Sequence, residues 1–221
     1  MPQTQRPVLT DGSRLIAESC VQAGADIYVG YPITPASLIF LYASQRFPVA
    51  LPAPDEITAL QWMAGLSAAG HLPVTATSFP GFALMVESIN MAYMMELPML
   101  IILVQRLGPA TGTATAGAQG DLQLLNGVIS GGYPLPVLCI SGMEDCWLLP
   151  PVALQMAISM RSPVVLLTSK EMVMTQARVD LAQLAEITPL RRNFYDGTSP
   201  YCTYAADSSL VPPFLPVGNS D

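Results

Sequence analysis

The feature that most restricts this chain is a set of short apolar runs whose hydrophobic residues follow one another without alternation. Residues 26–30 (DIYVG), 74–78 (VTATS), 99–105 (MLIILVQ), 136–140 (PVLCI) and 163–168 (PVVLLT) have strand length and are apolar at odd and even positions alike. A strand with one wet face alternates polar and apolar residues. A strand buried on both faces does not, and such burial belongs to parallel sheets covered by helices. Stretches of helical length lie between the runs, at 12–24, 35–47, 55–70, 82–96, 121–130 and 148–160. Gly24 and Gly70 stand where helix C-caps are expected, and Pro54, Asp55 and Glu56 put a proline and acids at a helix start. Strand and helix in alternation predict an α/β fold, a doubly wound, mainly parallel open sheet.

At 221 residues there is room for one good-sized domain and a further segment. The domain is expected over 1–189. From Leu190 onward the sequence is rich in Pro, Ser, Asp and Tyr and has no period, so 190–221 reads as an irregular tail or linker laid over a partner. Apolar residues make up 51% and charged residues only 11% of the chain. That balance excludes intrinsic disorder and predicts that another chain covers much of the surface. A net charge of −7 without any basic block argues against nucleic acid and anionic membranes as partners. The most apolar stretch, 91–104, is interrupted by Glu96 and Pro98 and falls short of the roughly 20 residues a membrane span needs, so no span is expected. The polar N-terminus lacks the apolar core of a secretion signal. Four scattered cysteines without a C-x-x-C pair, and one histidine, provide no four-ligand metal site; they read as reduced thiols of a cytoplasmic protein.

Ligands of an open α/β sheet bind beyond the carboxyl ends of its strands. Here those ends lead into YPITP at 31–35, SFPG at 78–81, and Arg106 and Leu107 with the small-residue loop 108–120 behind them. A guanidinium at a buried strand end can hold a carboxylate or phosphate through two parallel hydrogen bonds; pairing with a structural acid is the plainer alternative. The loop's small residues suit close backbone approach to a ligand, and equally a mobile solvent loop. The fingerprints of a P-loop and of a nicotinamide-binding turn are absent, and Lys170 is the only lysine. Glu56 opens an otherwise apolar helix, either as a carboxylate favoured by the helix dipole or as a group that accepts or shares a proton. Glu87 and Glu96 read as exposed or interfacial, His71 as structural or a rim residue, and Met91, Met94, Met95 and Met99 as core or subunit interface.

Several short motifs occur in one order: YPITP at 31–35, DEI at 55–57, TATS-x-PG at 75–81, LM-x-E at 84–87, E-x-P at 96–98, VQR-x-GP at 104–109, TG at 111–112 and QGDL at 119–122. As a set they resemble the pyrimidine-binding domain of the α subunit of 2-oxoacid:ferredoxin oxidoreductases, thiamine-diphosphate enzymes of the pyruvate and 2-oxoglutarate type. The resemblance covers roughly residues 12–171. It implies that Glu56 hydrogen-bonds N1′ of the cofactor's pyrimidine and so activates it, that Thr34 and Arg106 meet the substrate carboxylate, and that Ser78, Pro80 and Gly81 border the cofactor. It further implies a hetero-oligomer that converts a 2-oxo acid and coenzyme A to acyl-CoA and passes electrons to ferredoxin or a similar acceptor. The thiamine diphosphate is then shared with a β subunit carrying the diphosphate-binding domain, and Mg²⁺ and [4Fe-4S] clusters reside on partner chains. A non-catalytic assembly or regulatory subunit of such a complex, or a subunit of another thiamine-dependent 2-oxo acid decarboxylase, is the rival reading. The sequence departs from the family at Phe79 and Leu107, where glycines are usual, and both side chains are expected to crowd the substrate pocket. The family's second α/β domain is expected to be absent or on another polypeptide.

Overall fold

The strands and helices alternate as their apolar pattern requires. A computed structural model describes residues 7–197, 200–206, 208 and 210–218. In chain order the elements are β1 (Val8–Asp11), α1 (Gly12–Gln22), β2 (Ile27–Gly30), α2 (Ser37–Arg46), β3 (Val49–Pro52), α3 (Glu56–Ala68), β4 (Pro73–Thr77), α4 (Phe79–Leu84), α5 (Val86–Met94), β5 (Met99–Gln105), α6 (Asp121–Asn126), β6 (Val137–Cys139), α7 (Asp145–Met160), β7 (Pro163–Ser169), α8 (Lys170–Met174) and β8 (Gln176–Val179). Six strands form a parallel sheet in the order β3-β2-β4-β5-β7-β6. From β2 the chain steps outward to β3 and then returns past β2 to β4. The winding direction therefore reverses between β2 and β4, the kind of switch point that leaves a crevice at the carboxyl edge.

Strand β5 shows why its sequence does not alternate. Leu100, Ile102 and Val104 enter the core under α1, α2 and α7, whereas Met99, Ile101 and Leu103 enter the core under α3, α4 and α5. All six are at most 1% exposed. The helix ends follow the predicted chemistry. After α1 and after α3 the chain turns left-handed at Gly24 (φ +96°) and Gly70 (φ +93°). In both places the next two amides close on the helix: Gly24 and Ala25 donate to Val21 and Cys20, Gly70 and His71 to Ser67 and Leu66. A residue with a Cβ would be strained there.

Three features differ from expectation. The segment expected as one helix over 82–96 is two, α4 and α5, and Met85 is at once the C-cap of the first and the N-cap of the second. The edge strand β3 and the antiparallel pair β1–β8 went unanticipated, because each is only four residues long and partly exposed. The segment after Leu190, expected as a tail laid over a partner, packs against its own chain. Leu190 donates to the carbonyl of Ala23, Arg192 to that of Gly70 at 2.5 Å, and Val217 to that of Ala68 at 2.8 Å, while Tyr195 donates to Phe214 within the segment. It is fixed along the amino edge of the sheet, where β4, β5 and β7 begin.

Two helices end there on charged residues in the left-handed region, Glu96 after α5 (φ 54°) and Arg161 after α7 (φ 47°). Non-glycine residues in that conformation cost on the order of 1 kcal/mol. These two face each other, Arg161 Nη1 standing 3.4 Å from a Glu96 carboxylate oxygen. The pair joins helices from opposite faces of the sheet around its edge.

Candidate active site

The residues expected to carry chemistry gather at the opposite, carboxyl edge. Beyond the β2–β3 ladder, Ala53 N–H donates to Gly30 O at 2.9 Å, which brings 53–56 beside the loop after β2. Asp55 then caps α3, accepting from Thr58 N–H at 2.7 Å, so that Glu56 opens the helix. Its side chain is turned inward and is only 5% exposed, unlike an ordinary helix-start acid.

Gly81, in the first turn of α4, is what makes room for it. A Cβ at Gly81 would fall 2.6 Å from Glu56 Oε1 and closer still to Thr77 Oγ1. Gly81→Ala is therefore expected to push Glu56 aside and to destabilise the chain by about 1–3 kcal/mol. Denaturant midpoints measure the second effect; an unchanged midpoint would mean that the site is looser than the packing indicates.

Arg106 follows β5 and is 3% exposed. Its Nη1 donates to the carbonyl of Thr34 at 2.6 Å, and Ser78 Oγ approaches the same oxygen at 3.4 Å. The loops after β2, β4 and β5 thus converge on one backbone oxygen at the switch point. The Thr34 hydroxyl has no part in this contact, and Nε of Arg106 is buried without a partner. Burial pulls the Arg106 pKa down, opposed by the charges of Asp121 and Glu56. The guanidinium is in this way held in electrostatic reach of two carboxylates and keeps donors to spare. Pro80 is half-buried in the first turn of α4.

Asp121 was not among the expected site residues, although it stands in the QGDL motif. It is 2% exposed, and its Oδ2 is buried with no partner. Burial pushes its carboxyl up from 3.8 to about 6, against the pull of the Arg106 backbone N–H and guanidinium. A carboxyl raised on folding supports the folded state below its unfolded pKa, and that support is lost as pH climbs through the folded value. Stability should fall with pH across this window in the wild type but not in Asp121→Asn. The two curves should diverge by on the order of 2 kcal/mol between pH 4 and pH 7. Urea midpoints at both pH values decide this, and parallel curves would show an Asp121 that ionises normally.

The loop 107–120 is folded on itself. Leu107 N–H donates to Ala116 O and Thr113 Oγ1 to Leu107 O, both at 2.7 Å. Lys170, which opens α8 beside the end of β5, donates to Thr115 O at 2.7 Å. Gly117 lies against Glu171, whose Oε1 is 2.6 Å from where a Cβ would be. Leu107 is 40% exposed and Phe79 half-buried, so both side chains stand at an open face.

Residues 18–212 match the family described as pyruvate flavodoxin/ferredoxin oxidoreductase, thiamine diP-bdg. The chain belongs to this family. Among curated members, the 2-oxoglutarate synthase subunit KorA of Archaeoglobus fulgidus is 34% identical over 196 residues, 86% of this chain and 57% of the relative. The ketoisovalerate oxidoreductase subunit VorB of Methanothermobacter thermautotrophicus is 38% identical over 165 residues, 72% of this chain and 47% of the relative. The solved 2-oxoglutarate:ferredoxin oxidoreductase from Magnetococcus marinus, with 2-oxoglutarate, coenzyme A and succinyl-CoA bound, superposes with a TM-score of 0.91 at 30% identity. That match takes in 98% of this chain and 38% of the solved one. The chain spans about half the length of the curated pyruvate flavodoxin/ferredoxin oxidoreductase family members it matches. No helix among its described residues is long and apolar enough to cross a membrane.

Proposed function

We propose that this chain is the pyrimidine-binding, substrate-anchoring part of a 2-oxoacid:ferredoxin oxidoreductase, with residues 1–189 as the cofactor-binding unit and 190–221 as an irregular linker segment. The observation that carries this reading is the meeting of a buried carboxylate, Glu56, with Arg106 and Thr34 at the switch point of the sheet. The residues fit a thiamine diphosphate pyrimidine: Gly81 leaves the Glu56 carboxylate a cradle that any Cβ would fill. Bound thiamine diphosphate supplies the nucleophilic carbon and the electron sink for decarboxylation of a 2-oxo acid. Glu56 shares a proton with N1′ of the aminopyrimidine, and its burial makes that interaction stronger than it would be in water. Ser78, Pro80 and Gly81 border the ring. Arg106, fastened through Nη1 to Thr34, offers its remaining donors to the substrate carboxylate.

The diphosphate, Mg²⁺ and [4Fe-4S] clusters fall to a β subunit and other partner chains, with ferredoxin or a similar protein as acceptor and coenzyme A as acyl acceptor. No cluster of metal-ligating side chains occurs among the described residues here. Helix α3 supports the partner. After Glu56 it carries no charge through Ala68, and Ile57 and Trp62 on its outer side are 47% and 42% exposed. Large apolar side chains left exposed on an uncharged helix suit cover by a neighbour.

Isolated, the chain should bind thiamine diphosphate more weakly than the assembled complex by about a hundredfold, or about 2.7 kcal/mol. Titration calorimetry with and without the β subunit tests this. Equal affinity in both samples would overturn the shared site.

A further inference from the structure

The amino edge of the sheet holds a cavity of about 490 Å³, far from Glu56 and Arg106. Its floor includes Leu72 and Pro98, just before β4 and β5, and its roof is the anchored segment, 191–194 and 211–214. That volume is within the range of small-molecule sites, roughly 300–1,000 Å³.

The charge of the lining is one-sided. Arg161, Arg191, Arg192 and His71 line the cavity, three of the chain's nine basic residues and its one histidine, and no Asp or Glu does. The acids that pair with them stand outside the lining: Glu96 with Arg161 at 3.4 Å, and Asp26 with Arg192 at 3.2 Å and with His71 at 3.1 Å. A second large cavity, about 710 Å³ beside α1, sets Glu18 and Glu186 against Arg14 and Arg46 and is balanced. In a chain of net charge −7 a carboxylate-free, guanidinium-rich concavity is a local exception.

Fastening of the terminal segment explains only part of it. Arg161 Nη1 donates to the carbonyls of Pro212 (3.2 Å) and Pro213 (2.9 Å), with its guanidinium 4.8 Å from the centre of the Phe214 ring. Its Nε remains buried with no partner, in a residue 9% exposed. Arg191 is exposed and enters no ion pair with a described residue. Three guanidiniums offer more donors than the two oxygens of one carboxylate can accept and suit the oxygens of a phosphate. The volume left beyond a phosphate is walled by Ile158, Phe194 and Phe214. We propose that this cavity binds a small molecule bearing a phosphate group on an organic body, and that its ligand clamps the 190–218 segment to the sheet.

The full chain suffices for the test, because its own residues close the cavity. Inorganic phosphate serves as probe, with ionic strength held constant by NaCl. Melting temperature and calorimetry should show saturable binding. Arg191→Ala should weaken it by about tenfold and Arg191→Glu further, while Arg178→Ala, on β8 and outside the lining, leaves it unchanged. Arg191 makes no bond that the fold needs, so these variants are expected to fold. Non-saturable stabilisation, or full affinity retained in both Arg191 variants, would overturn the proposal; in the latter case the phosphate is held elsewhere, as by Arg106.

Discussion

Exchanging Glu56 for Gln in the assembled enzyme is expected to lower turnover by about 100- to 10,000-fold while the fold survives. The substitution keeps the size of the side chain and its place against Gly81, and it costs the helix start only about 0.3–1 kcal/mol of dipole interaction. What it removes is the buried carboxylate beside Gly81 that can share a proton with a pyrimidine nitrogen. The decisive measurement is exchange of the thiazolium C2 proton of bound thiamine diphosphate, followed by NMR in wild type and mutant. Slowed exchange with a melting temperature within a few degrees of wild type is the expected result. Equal exchange rates would leave Glu56 as a structural acid and refute the proposed role.

Removal of Arg106 acts on two levels. As the proposed partner of a substrate carboxylate it would support a charge-assisted pair in a buried site. Arg106→Ala should therefore lower kcat/KM for the 2-oxo acid by about 30- to 1000-fold, which corresponds to roughly 2–4 kcal/mol. As the donor to Thr34 O and the neighbour of Asp121 it also supports the loops, so stability should drop by about 1–3 kcal/mol as buried acceptors lose their partner. The levels separate because Thr34→Val keeps the carbonyl that Arg106 holds. That variant loses only a hydroxyl and should cost about 0.5–1.5 kcal/mol in kcat/KM with little loss of stability. A full kcat/KM in Arg106→Ala would mean that the substrate carboxylate is held by other groups.

The sheet could be read from sequence because burial on both faces erases alternation, as β5 shows residue by residue. The short strands β1, β3 and β8 could not, since four partly exposed residues carry no period and their pairing is decided by distant segments. The segments bearing Thr34, Ser78, Gly81 and Arg106 were locatable because they follow buried strands, and the fold brings them to one edge. Asp121 was not singled out because an acid at a helix start looks the same whether exposed or buried; only the packing of α6 under Arg106 distinguishes the two. The Glu96–Arg161 pair was equally invisible, since glycine is the residue that sequence rules expect at a left-handed helix end.

Lys170 has a practical consequence. Its amine is the only one on any side chain of these 221 residues, and it is engaged with Thr115 O beside the end of the strand that leads to Arg106. An amine-reactive acylating reagent can therefore leave a single side-chain adduct. The rate of that labelling, read by mass spectrometry, counts how often the loop releases the amine. Slower labelling upon assembly or with substrate would register closure of this edge, without an added probe or any measurement of turnover.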